Sequence, residues 1–204
     1  MFPGWTVQGA ARAAERNRIM TSTRNGILLT IFLTVTVALG AQETRHTVTN
    51  PSPNPADDTR PNSSAVPDAY ALTGHFYRIV VIRLKNGANL LAGMNQVIKQ
   101  QHVENGVILS AIGSLRNWNV HQISNRHLPT QDTFEANPTQ PCDLVSMNGY
   151  VINGRIHAHM TLATPDRVIA GHVEEGNEVY TYAMVTVGVM NDTNLAHIDD
   201  KGYR

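Results

Sequence analysis

Residues 154–173 constrain the fold more than any other stretch, because they read as two β-strands folded back on each other and carry three histidines. Residues 155–163 are rich in β-formers and end at Thr164-Pro165-Asp166, a turn signal, after which residues 167–173 form a second short apolar arm. Successive side chains of a strand point to opposite faces, so His157 and His159 share a face. His172 lies on the returning arm, where antiparallel pairing brings it near them. Neutral imidazoles are good ligands for zinc and its neighbours, which makes His157, His159 and His172 a candidate site for a divalent transition metal. The competing reading is a polar cluster satisfied by hydrogen bonds or a subunit contact, and the spacing by itself leaves both open.

The start of the chain reads differently. Residues 26–40 form an uncharged apolar run behind Arg24, with small residues at its exit, as in a secretory signal cleaved near Ala41 or Gln42. The run is shorter than the ~20 apolar residues of a membrane-spanning helix, so no stable anchor is expected. Met20 begins a conventional signal by itself and is expected as the true start, and residues 1–41 are set apart from the fold. The expected location is therefore the periplasm or the outside of the cell. Four of the 16 basic residues (Arg12, Arg16, Arg18, Arg24) and one of the 16 acidic ones (Glu15) lie in this segment, leaving 12 against 15, a net charge of −3. A slightly acidic chain without a Lys/Arg cluster lacks the electrostatic footprint of a nucleic-acid binder. Cys142 is the single cysteine, which excludes an intrachain disulfide. Beside Pro141 it reads as a small strand residue and not as a nucleophile.

Residues 42–73 are rich in Thr, Asn, Pro, Ser and Asp, with little to bury, and read as a disordered tether. The folded domain is expected over residues 74–190, with 191–204 as a tail. Its elements follow from periodicity. Residues 77–84 form a strand before the Asn86-Gly87 turn, and Leu90, Leu91, Met94, Val97 and Ile98 mark one face of a helix over about 88–102. Strands follow at 106–113 and 115–123. Residues 124–141 are polar, contain prolines and show no clear period, so they read as a surface excursion or flap. Strand 143–152 leads through Asn153-Gly154 into the histidine hairpin, and 179–189 is the last long strand. One helix among many antiparallel strands is an α+β fold, mostly antiparallel sheet with one main helix packed on it.

The order of these motifs resembles the plant and prokaryote conserved (PPC) domain over residues 77–190. The resemblance is carried by the Asn-Gly-led helix, Ala111-Ile-Gly-Ser-Leu115, the 144–149 strand, His157-Ala-His159 and Ala170-Gly-His172 before the last strand. It implies a homotrimer and, as in some prokaryotic members, a metal site at His157, His159 and His172. The chain has no Arg-Gly-Arg-Pro hook of the kind that accompanies the domain in plant DNA-binding proteins, so it resembles the stand-alone prokaryotic type and no nucleic-acid partner is expected. Ala170 stands where the first of two glycines is often found.

Two classes of function follow. One is a trimeric module binding a metal or small molecule, with catalytic residues unknown; three histidines leave a fourth tetrahedral position, and Glu174, two residues beyond His172, is the nearest carboxylate for a general base or extra ligand. The alternative for Glu174 is a solvated acidic turn with Glu175 and Glu178. The other class is a non-catalytic assembly module whose histidines are structural. His121 and His127 fall outside the hairpin and are expected to lie apart from the site.

Overall fold

The computed structural model describes residues 44–49 and 64–197; the expected signal segment and the start at Met20 lie outside the described residues. In chain order the elements are β1 (Thr44–Thr49), β2 (Phe76–Lys85), α1 (Leu90–Gln100), β3 (Asn105–Leu115), β4 (Trp118–Ile123), β5 (Gln131–Asn137), β6 (Cys142–Ile152), β7 (Arg155–Ala163), β8 (Val168–Val173) and β9 (Val179–Met190). A 3-10 turn follows at Leu195–His197. Among the described residues all nine strands join one sheet, in the order β1-β5-β4-β8-β7-β6-β3-β9-β2. Each neighbouring pair is antiparallel. The fold is thus α+β, as the periodicity predicts.

Sheet order and chain order together force curvature. β3 ends at Leu115 and β4 begins at Trp118, yet three strands lie between them in the sheet. Three Cα–Cα steps reach at most about 11 Å. Four interstrand spacings in a flat sheet would need about 19 Å. The sheet therefore curls, bringing the end of β3 to the start of β4, and Arg116 N–H donates to Glu178 O (2.8 Å) where the chain crosses.

The inner face of the curl is the core. Ile82 and Leu84 of β2, Val185 and Val187 of β9, Leu144 of β6 and Leu162 of β7 are all buried there. Helix α1 lays Leu90, Met94 and Ile98 against this face. Asn89 caps it, its side-chain oxygen accepting from Ala92 N–H (2.9 Å). Truncating any of these three to Ala would cost about 2–5 kcal/mol, since each is essentially inaccessible to water.

Besides Leu115, which closes β3 instead of opening the next strand, the sequence expectations differ from the structure in three places. Helix α1 is shorter at both ends than 88–102, because Asn89 caps it and His102 turns the chain with φ of 49°. Residues 131–137, expected within a loop, form β5. Its buried positions include Asp132 and Asn137, so the segment offers no apolar alternation from which to read a strand. Residues 44–49, expected in the tether, form β1 and pair with β5. In this last case a long-range partner, invisible to local pattern, makes the segment a strand.

Two glycines let strands approach where the histidines sit. A side chain at Gly149, whose φ is 151°, would run into the His157 carbonyl oxygen and come within 2.7 Å of Ala158 Cα. At Gly171 it would lie 2.5 Å from the His121 carbonyl oxygen. Ala170, by contrast, is exposed, which is why a side chain is tolerated there. We expect Gly149→Ala to destabilise the domain by on the order of 2–4 kcal/mol, measured by denaturant unfolding, while Ala170→Gly changes stability by less than about 1 kcal/mol.

Candidate metal centre

The outer face of the curled sheet carries the histidines. Cross-strand pairing sets His121 of β4 opposite His172 of β8, and His172 opposite His159 of β7. On the far side of β7, His159 pairs with Asn148 and His157 with Tyr150. Four imidazoles on three adjacent strands therefore share one face. The hairpin of the sequence reading is the β7–β8 pair, and its three histidines converge. Ring centroids are 5.6 Å apart for His157 and His159, 5.1 Å for His157 and His172, and 5.5 Å for His159 and His172.

His121 corrects the expectation that it lies apart. Its ring stacks on that of His172 with centroids 4.5 Å apart and planes at 22°. The hairpin logic could not reach it, because β4 meets β8 only through the curl; the one local hint is that His121 sits on an alternating strand. His127 does stand apart, exposed in the β4–β5 loop.

Glu174 is the carboxylate of the cluster. Its Oε1 lies 2.5 Å from His121 Nδ1 and 3.2 Å from His172 Nδ1. It is about three-quarters shielded from solvent, which sets aside the solvated acidic turn. Its backbone is pinned by the fully buried Asn177, whose Nδ2 donates to Glu174 O (2.6 Å) and to Asn119 O (3.0 Å). Asn177 thereby fastens the end of β8 to β4. On the other side of His121, Nε2 is 4.0 Å from Oδ2 of the buried Asp132 on β5. Two donor sets thus overlap at His172. One is His157, His159 and His172. The other is His121, His172 and Glu174, whose ligand atoms all lie within 4.8 Å of one another and could hold a metal ion.

Burial shifts two of the rings towards the neutral form. Burial lowers the His172 pKa below the ordinary 6.5, the His121 ring adds to this, and Glu174 opposes it. Burial likewise lowers His159, with His157 and His121 pushing the same way. His159 is exposed at its rim, so solvent screens more of its share. Neutral rings with free lone pairs are what a metal needs, so the donor set fits a divalent transition metal. Cys142 contributes nothing here. Burial, with Asp143 beside it, pushes its thiol up to about 12, which leaves it protonated and inert.

The sequence and the fold have counterparts among known proteins. The family model for the Plants and Prokaryotes Conserved (PCC) domain matches residues 71–191. The chain belongs to this family. Among solved structures, a plant- and prokaryote-conserved protein of Pyrococcus horikoshii matches with a TM-score of 0.51 at 19% identity, covering 62% of this chain and 87% of that one. A protein of Archaeoglobus fulgidus described as metal-containing matches with a TM-score of 0.50 at 19% identity, covering 60% and 86%. These likenesses establish the PCC fold. In sequence the chain is 25% identical over 129 residues to the bifunctional protein GlmU of Synechococcus sp. (strain JA-3-3Ab). The match covers 63% of this chain and spans 20% of the length of that relative.

The lowered histidine pKa values predict a pH dependence of stability. The unfolded chain binds more protons than the folded one between the folded pKa values and about 6.5, so stability rises with pH across that window. The contribution is fully present above about pH 6.5 and is lost as pH falls through the folded pKa values of His159 and His172. Metal-free protein unfolded in urea at a series of pH values should show this loss, and His172→Gln should flatten it.

Proposed function

We propose that this PCC-domain protein is an exported homotrimeric module in which His157, His159 and His172 hold one divalent transition metal, zinc or a neighbour. The observation that carries the reading is the convergence of four imidazoles and one shielded carboxylate on a single sheet face, with burial lowering the pKa of His172. The description of the Archaeoglobus relative as metal-containing supports it. When bound, such a metal supplies Lewis acidity. The residues of this chain supply the cradle: β7 and β8 set three rings, the Glu174 carboxylate meets one of them, His172, and the inner core holds both strands in register.

Assembly rests on a different observation. The outer face of β2, β3, β6 and β9 exposes Ile79, Val81, Ile112, Val145 and Met184, each 38% exposed or more. Apolar groups on neighbouring strands form a patch of the kind that marks subunit contacts, and closed cyclic assembly would cover it. The choice of three subunits comes from the family resemblance. Export rests on the uncharged run at residues 26–40; the chain trimmed after it has a net charge of −3, which does not favour a nucleic-acid partner. The apolar face also supports a second reading, an assembly module whose histidines only brace the sheet, and metal content separates the two.

Native mass spectrometry of the protein made in an exporting host tests the assembly and the processing together. It should return the mass of three chains, each beginning near Ala41 or Gln42; a monomer at micromolar concentration, or an intact 24–39 segment, would contradict those parts. For the metal, wild type and His127→Ala should each carry one zinc per chain. His159→Ala and His172→Ala should lose stoichiometric zinc. Equal loss from all variants, or no stoichiometric metal in wild type, would leave the assembly module as the correct reading.

A further inference from the structure

We infer that Glu174 and His121 are positioning residues, which fix the tautomer and ring orientation of His172 so that its Nε2 lone pair faces His157 and His159. The inference rests on the metal-binding reading of those three histidines and assigns roles to two residues outside that ligand set. A carboxylate has no proton to give, so a side chain that meets two ring nitrogens through one oxygen must accept from both. Glu174 Oε1 does so, at 2.5 Å from His121 Nδ1 and 3.2 Å from His172 Nδ1. Both Nδ1 atoms therefore carry the hydrogen. In a neutral His172 this places the lone pair on Nε2, the nitrogen left for a ligand bond, and an outer carboxylate of this kind also raises the basicity of the ligand it holds.

His121 is a brace by the same geometry. Its Nδ1 is committed to Glu174, and its Nε2 lies 4.0 Å from the buried Asp132 carboxylate, so carboxylates flank both of its nitrogens. What it offers His172 is its flat face, stacked at 4.5 Å. The ring of His172 is thus held along one edge by Glu174 and on one face by His121. Asn177 fixes Glu174 from the backbone side through a contact that no change of the Glu174 side chain removes.

The test uses the full chain, first stripped of metal with a chelator. Long-range proton–nitrogen correlation spectra at about pH 8, where imidazoles are neutral, report which ring nitrogen bears the hydrogen. His172 should carry it on Nδ1 in wild type and shift towards the Nε2–H form in Glu174→Ala. Glu174→Gln keeps an acceptor oxygen and should retain part of the wild-type tautomer. Zinc affinity should fall about 10–100-fold in Glu174→Ala, with partial recovery in Glu174→Gln. Cobalt-substituted wild type and Glu174→Ala should show the same visible band pattern, since the ligands are unchanged. An Nε2–H tautomer in wild type, an unaltered zinc affinity, or a changed cobalt spectrum in Glu174→Ala would each overturn the proposal, the last by making Glu174 a direct ligand. Wild type that binds no metal but shows the Nδ1–H tautomer, lost in Glu174→Ala, would refute the metal reading while leaving the positioning role intact.

Discussion

Curvature of the sheet is the constraint on which the rest of this structure depends. Because residues 116 and 117 are all that join β3 to β4, the nine strands cannot lie flat. The inner surface of the curl becomes the apolar core, and the outer surface carries the histidine cluster and the exposed apolar side chains. Curling also brings β4 against β8, and Gly171 lets the backbones meet where a side chain would strike the His121 carbonyl. Without that approach His121 and His172 would not stack, and the carboxylate between them would serve one ring.

Polar groups on the outer face are arranged in a graded way. Asp132 and Asn177 are buried and hold the periphery, Glu174 and His121 are partly shielded, and His157 and His159 reach solvent. A site built so keeps its orienting groups in the less polar surroundings, where hydrogen bonds are strongest, and its open positions towards water. Two costs accompany it. The rings repel one another when protonated, and burial of His172 disfavours its charged form. Both costs vanish when the rings are neutral, which is also the state that ligates metal.

How much of this was legible in the sequence follows from the range of each interaction. Strand alternation along 155–163 and the Thr164-Pro165-Asp166 turn are local, so the hairpin and the meeting of His157, His159 and His172 could be read directly. The helix was legible because Leu90, Met94 and Ile98 recur at helical spacing. His121 was not, since its neighbour in space is 51 residues away in the chain and is reached only through β4–β8 pairing. β5 and β1 were missed for the complementary reason. Their pairing partners, not their own composition, make them strands. Glu174 was singled out by its place two residues after His172, but its bond to His121 again required the curl.

X-ray absorption at the zinc edge of the purified protein decides whether the outer-face histidines form a built metal centre. Nitrogen or oxygen scatterers at about 2.0–2.1 Å from the metal, with the outer-shell pattern of three imidazoles, are the expected result. Absence of bound zinc, or a sulfur scatterer at about 2.3 Å pointing to Cys142 as a ligand, would contradict it.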